Sequence, residues 1–192
     1  MAEVILFHHA LGVTDGVKAI ADQLRDGGHK VTVADLFGGT TFETIEEGVA
    51  YEEQLGWDEM IARSEAAIAP LPAQVVIGGF SLGAVYTQRL AQTRKGALGA
   101  LLYHAGDIPP TEFEVPWPDG VGLQVHVSEG DKWFNREGGE QLVSEVPGAE
   151  LFLYPGSAHL FTDRSWEEYD EASTTLVMER TLAFLDRVGN GA

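Results

Sequence analysis

Val75-Val76-Ile77-Gly78-Gly79-Phe80-Ser81-Leu82-Gly83-Ala84-Val85-Tyr86 changes its periodicity at Ser81. The β-branched apolar run before the serine reads as a buried strand. After it, Val85, Tyr86, Leu90 and Ala91 fall at helical spacing. The join, Gly79-x-Ser81-x-Gly83, is a strand-to-helix turn so sharp that the serine takes strained backbone angles, and only small neighbours let strand and helix approach. A serine held there sits near a helix N-terminus, whose free amides and dipole favour developing negative charge. The role that suits it is a nucleophile.

The alternation extends to both ends of the chain. Residues 4–8 read as a strand, followed by a helix capped by Thr14 or Asp15, with Val17, Ile20, Ala21 and Leu24 on its apolar face, ended by Gly27-Gly28. Residues 31–34 form a second strand. Residues 38–56 read as irregular and acidic, and 57–68 as a helix closed by Pro70 and Pro72. Beyond the elbow come a strand at 98–104, a proline-rich loop (Pro109, Pro110, Pro116, Pro118) and a strand at 122–128. A helix at 135–146, a strand at 151–154 and a helix at 170–188 complete the order. Strands separated by helices imply a mostly parallel sheet with right-handed crossovers. The expectation is one α/β domain over residues 1–192. With the serine elbow it takes the α/β-hydrolase fold: six strands, helices on both faces, and no leading strand pair.

Composition narrows the function. The 192 residues hold 12 basic and 30 acidic side chains, a formal charge of −18. Such a surface repels nucleic-acid phosphates and anionic lipid. Cysteine is absent, which removes disulfides, thiolate metal sites and a cysteine nucleophile. Nothing approaches the ~20 apolar residues of a membrane span, and the first residues lack the basic region of a signal peptide. A cytoplasmic location is expected.

An activated serine needs a base, and the base an orienting acid. In this fold the order is Ser, then Asp or Glu, then His, each after a strand. Asp131, in Ser128-Glu129-Gly130-Asp131, follows the fifth strand, and His159, in Gly156-Ser157-Ala158-His159, follows the sixth. Both fall at the carboxyl edge, where open α/β sheets bind ligands. We assign Ser81 as nucleophile, His159 as base and Asp131 as acid, with Glu129 and Asp107 as rival acids. Asp163 reads as a surface charge, and His104 and His126 as structural histidines. The oxyanion amides expected are that of Leu82 and that of Ala10 or Leu11. His8 and His9 are adjacent on a strand and point to opposite faces, so no metal site is expected, and no cofactor. A dinucleotide fold would need G-x-G-x-x-G where His9-Ala10-Leu11-Gly12 stands. Candidate substrate-pocket residues are Phe42, Tyr51, Trp117, Trp133, Phe134 and Phe161, and Arg164 is the cation placed to meet a carboxylate.

Phe7-His8-His9, Gly12, Asp15-Gly16, Gly28-His29-Lys30-Val31, Asp35-Leu36-Phe37, the elbow, Gly130-Asp131 and Ser157-Ala158-His159-Leu160-Phe161 together resemble the dienelactone hydrolase family. The resemblance implies an α/β-hydrolase fold, a Cys-His-Asp triad and cleavage of an unsaturated lactone bearing a carboxylate. Two positions depart from the family pattern: serine replaces the usual cysteine at Ser81, and Ala84 replaces the second glycine after the nucleophile. The expected function is a serine esterase or lactonase acting on a small molecule, with a homodimer as the open quaternary option. The alternatives are a non-catalytic binder on the same scaffold, and a perhydrolase or acyltransferase sharing the triad.

Overall fold

Each strand of the sheet alternates its side chains between two faces, and here both faces are apolar. The computed structural model describes residues 1–190. It runs β1 (Glu3–Phe7), α1 (Asp15–Asp26), β2 (Lys30–Ala34), α2 (Ile45–Leu55), α3 (Trp57–Ile68), β3 (Val75–Phe80) and α4 (Leu82–Thr93). Then come β4 (Ala97–Tyr103), a 3-10 turn (Pro110–Phe113), β5 (Gly122–Ser128), α5 (Arg136–Glu145), β6 (Glu150–Tyr154) and α6 (Glu171–Asn190). Ile5, Phe7, Val75, Ile77, Leu102, Val125 and Val127 point into one core with Leu36, Met60, Leu90 and Leu142. Val4, Leu6, Val76, Leu101 and Tyr103 point into the other, against Val17, Ile20 and Leu24 of α1 and Val177, Phe184 and Leu185 of α6.

All neighbouring strands are parallel, in the order β2-β1-β3-β4-β5-β6. The chain leaves β1 for the β2 edge and returns on the other side as β3, so the topology switches between β1 and β3. Crevices at such switch points are where open α/β sheets bind ligands, and the Ser81 turn leaves β3 at that point.

One stretch expected to be irregular is ordered. Ile45–Leu55 is a helix, entered through a capping box in which Thr44 Oγ1 accepts the Glu47 amide and Glu47 reaches back to the Thr44 amide. Gly48 is its sole buried residue, and it is glycine because a Cβ there would run into the carbonyl of Ala10. Among the described residues no helix is long and apolar enough to cross a membrane.

Candidate active site

Ser81 stands at φ 48°, ψ −113° between β3 and α4, a left-handed conformation that a residue with a Cβ seldom adopts. Its amide donates to Tyr103 O at 2.7 Å, which fixes the turn to β4. The flanking glycines are steric necessities. A Cβ on Gly83 would lie 2.5 Å from the carbonyl oxygens of both Phe7 and His8, and one on Gly79 would meet Gly83 and Thr87. Ser81 makes no side-chain cap bond to α4, so its hydroxyl is left to other partners.

That partner is His159. Ser81 Oγ donates to His159 Nε2 at 2.7 Å, and His159 Nδ1 donates to Asp131 Oδ2 at 2.6 Å. His159 and Asp131 are 5% and 6% exposed, so water competes weakly for either bond. The second Asp131 oxygen accepts the Trp133 amide at 2.9 Å. The loops that carry the pair are pinned together: Glu129 N donates to Tyr154 O, Gly130 N to Gly156 O, and Ser128 Oγ to Ala158 O. Glu129 is exposed, and Asp107 accepts the Asn135 amide instead. Glu168, whose part was not read from the sequence, accepts the His159 amide at 3.2 Å.

The amides of Leu82 and Ala10 have no acceptor among the described residues. Leu11 does not meet its expectation: its amide donates to His9 Nδ1 at 3.2 Å, which takes it out of the site.

Two clefts meet at His159. One, of about 230 Å³, is walled by Ile45, Val49, Trp57, Leu82, Val85 and Tyr86 and opens onto Ser81. The other, of about 580 Å³, is polar and carries Glu46, Lys132, Trp166, Glu167 and Glu168. Trp133 lines both. In the first, Tyr86 donates to Glu52 Oε1 at 2.6 Å, and burial together with that carboxylate pushes its hydroxyl pKa up.

The other aromatics expected in the pocket lie elsewhere. Phe42 and Tyr51 pack edge-to-face on Phe37 at the core. Trp117 borders a separate hollow and donates to Val121 O. Phe134 fills the space beside Gly139. Phe161 is buried behind the site against His104. Arg164 is exposed and lines neither cleft. Phe42, Phe134 and Phe161 sit in loops at the carboxyl edge, but core packing claims their rings, whereas Tyr51 lies within α2 and Trp117 precedes β5 at the opposite edge. The walls that do form the cleft come from α2, α3 and α4.

The remaining histidines are buried. His126 Nδ1 bonds the Tyr154 hydroxyl at 2.8 Å and its Nε2 bonds Gln124 Oε1 at 3.2 Å. His104, itself at φ 61°, meets Thr162 Oγ1 through Nε2, and its buried Nδ1 has no partner. His8 accepts the Leu36 amide on Nε2, and His9 meets Asp163 at 2.8 Å. Asp163 is 3% exposed, not the surface charge that its charged neighbourhood suggested. No group of three or more His, Cys, Asp or Glu side chains among the described residues could hold a metal ion.

The chain matches the model of the Dienelactone hydrolase family over residues 1–189. A search of curated proteins found no match. Among solved structures, a dienelactone hydrolase-like promiscuous phosphotriesterase from metagenomic libraries is 19% identical, with a TM-score of 0.82 over 98% of this chain and 87% of that one. A Klebsiella pneumoniae protein assigned as a dienelactone hydrolase is 16% identical, with a TM-score of 0.79 over 97% and 87%. A dienelactone hydrolase from Anabaena variabilis is 14% identical, with a TM-score of 0.71 over 97% and 86%. At these identities the likeness is one of fold.

Proposed function

The chain belongs to the dienelactone hydrolase family of α/β-hydrolases, and from that premise we propose that it cleaves small neutral esters or lactones through an acyl-enzyme on Ser81. The observation that carries this reading is the unbroken Ser81–His159–Asp131 hydrogen-bond chain, 2.7 Å and 2.6 Å long.

In the proposed cycle, His159 Nε2 takes the Ser81 proton as Oγ attacks the carbonyl carbon. Asp131 stabilises the imidazolium and stays ionised. The carbonyl oxygen becomes an oxyanion, met by the Leu82 and Ala10 amides. Collapse breaks the bond to the leaving alkoxide, which takes the proton from His159. Water, deprotonated by the same histidine, then attacks the acyl carbon and releases the acid and Ser81. The serine in place of the family's cysteine makes this base essential, because an unassisted hydroxyl is a far weaker nucleophile than a thiolate.

The apolar cleft is where the acyl group fits. At about 230 Å³ it holds roughly eight water-sized groups. We expect kcat/KM in a p-nitrophenyl ester series to peak between acetate and hexanoate. From there to dodecanoate it should rise no further, since methylenes left in water contribute no burial energy. A rate that climbs steadily to long chains would contradict the proposal. A carboxylate on the leaving side would face Glu46, Glu167 and Glu168, and among the described residues the one Lys or Arg lining that cleft is Lys132. This favours neutral substrates over the carboxylate-bearing lactone of the family.

The direct test is a fluorophosphonate probe followed by peptide mapping. Label should appear on Ser81, and Ser81→Ala should take none. A labelled serine elsewhere, or no label, would remove the nucleophile.

A further inference from the structure

The buried Asp163 carboxylate accepts four hydrogen bonds. His9 Nε2 (2.8 Å) and Thr14 Oγ1 (2.5 Å) reach Oδ2, and the Ser165 amide (2.8 Å) and hydroxyl (2.5 Å) reach Oδ1. Burial alone would raise its pKa, but the bonds from His9, Ser165 and Thr14 outweigh that and hold it well below the usual carboxylate range. A buried charge is costly unless it is tied in this way, and the proposed catalytic cycle does not use it.

Its reach runs through His9. Because His9 Nδ1 accepts the Leu11 amide, the imidazole proton lies on Nε2 and points at Asp163. The Ala10–Leu11 peptide is thereby held at both ends, its N–H on His9 and its carbonyl against Gly48 of α2. The preceding peptide, His9–Ala10, is held through its carbonyl, which accepts from His8 Nδ1 at 2.7 Å and from the Gly12 amide at 3.0 Å. The N–H of that peptide is the unpartnered Ala10 amide. It lies next along the chain from the Phe7 and His8 carbonyls that pack against Gly83, in the first turn of α4.

We propose that His9 and Asp163 are positioning residues for the oxyanion site, fixing the peptides of residues 9–11 so that the Ala10 amide meets the developing charge. Asp163 follows His159 by four positions, so the same contact ties that amide to the loop carrying the base. This inference rests on the Ser81 reading above. Removing an oxyanion donor costs about 10²–10³ in kcat. Loosening one should cost less, with KM nearly unchanged, because the charge exists only in the transition state.

The test compares an oxoester with its matched thionoester in the unmodified chain and in Asp163→Asn, His9→Gln and Ser165→Ala. A thiono sulfur is larger than oxygen and a weaker acceptor, so it draws less from the amides. In the two buried variants, kcat for the oxoester should fall about 10- to 100-fold with KM within about threefold, and the oxo-to-thiono rate ratio at least about fivefold. Ser165 is exposed, so Ser165→Ala should fold even where the others do not, and should move the ratio the same way by about two- to threefold. A ratio unchanged in every variant that folds, whatever happens to Tm, overturns the proposal. Fluorophosphonate labelling of the unmodified chain separates the two failures. Absence of label on Ser81 removes the nucleophile, whereas label with an unmoved ratio removes only the positioning role.

Discussion

Ser81→Ala is expected to lower kcat for a short p-nitrophenyl ester by about four to six orders of magnitude, with Tm within a few degrees of the parent. The side chain makes no cap bond to α4 and donates to His159 alone, so its removal subtracts chemistry and little packing. Alanine at φ 48° bears the same backbone strain as serine. A residual rate should survive from the oxyanion amides and binding. Asp131→Asn should cost about 10³–10⁴, because its amide cannot both hold the His159 Nδ1 proton as an anion would and stabilise the imidazolium. Glu129→Gln and Asp107→Asn should stay within about threefold, since one faces solvent and the other is bound to the Asn135 amide. Turnover within tenfold of the parent in Ser81→Ala would dismiss the acyl-enzyme. A larger loss in Glu129→Gln than in Asp131→Asn would move the acid.

The parts of this site that could be read from the sequence are those fixed by chain order and sterics. The elbow needs glycines at two particular positions, and a parallel sheet sends residues after β5 and β6 to one edge, which puts Asp131 and His159 on the edge that also carries Ser81. What could not be read depended on distant packing. Asp163 stands among Arg164, Glu167 and Glu168, and nothing local says that His9 and Thr14 meet it. Phe42, Phe134 and Phe161 lie at the active edge, but a ring facing the core and a ring facing the cleft look alike in sequence. Helix α2 is different, because its signal was present. Thr44-Ile45-Glu46-Glu47 is a capping box, and Ile45 and Val49 fall one turn apart, yet Gly48 in the middle lowered the apparent helix propensity. The glycine serves the contact with Ala10, so a close backbone approach masked the element that carries it.

Between pH 7 and 5 the fold should lose about 4 kcal/mol through the buried His8 and His126, and a third buried histidine, His104, acts in the same direction. Burial is the main cause in each. It lowers His8 to about 4, His126 to about 3, and His104 well below its ordinary value. All three are at most 1% exposed, and His8 and His126 have both ring nitrogens engaged as neutral imidazoles. The sign follows from proton counting. Below ~6.5 the unfolded chain binds a proton at each histidine that the folded chain refuses, so stability falls as pH falls, and no part of this effect remains above about pH 7. His8 and His126 each contribute about 1.4 kcal/mol per pH unit, about 2 kcal/mol by pH 5, and their sum is a large fraction of the stability of an ordinary domain. Asp163 acts in a separate window. Its depressed carboxyl contributes fully above the unfolded value of ~3.9 and is lost only as pH falls below that toward the folded value. Relief of the −18 charge on acidification works the other way, but it acts between exposed groups and is screened at 0.2 M salt. Urea midpoints at pH 7, 6 and 5 in that salt read the slope. In His126→Gln it should drop by about a third to a half, whatever the variant's absolute stability, because one refused proton has gone. A parent midpoint that stays level from pH 7 to 5 would mean that these histidines protonate in the folded state, and the neutral networks assigned to His8 and His126 would have to be redrawn.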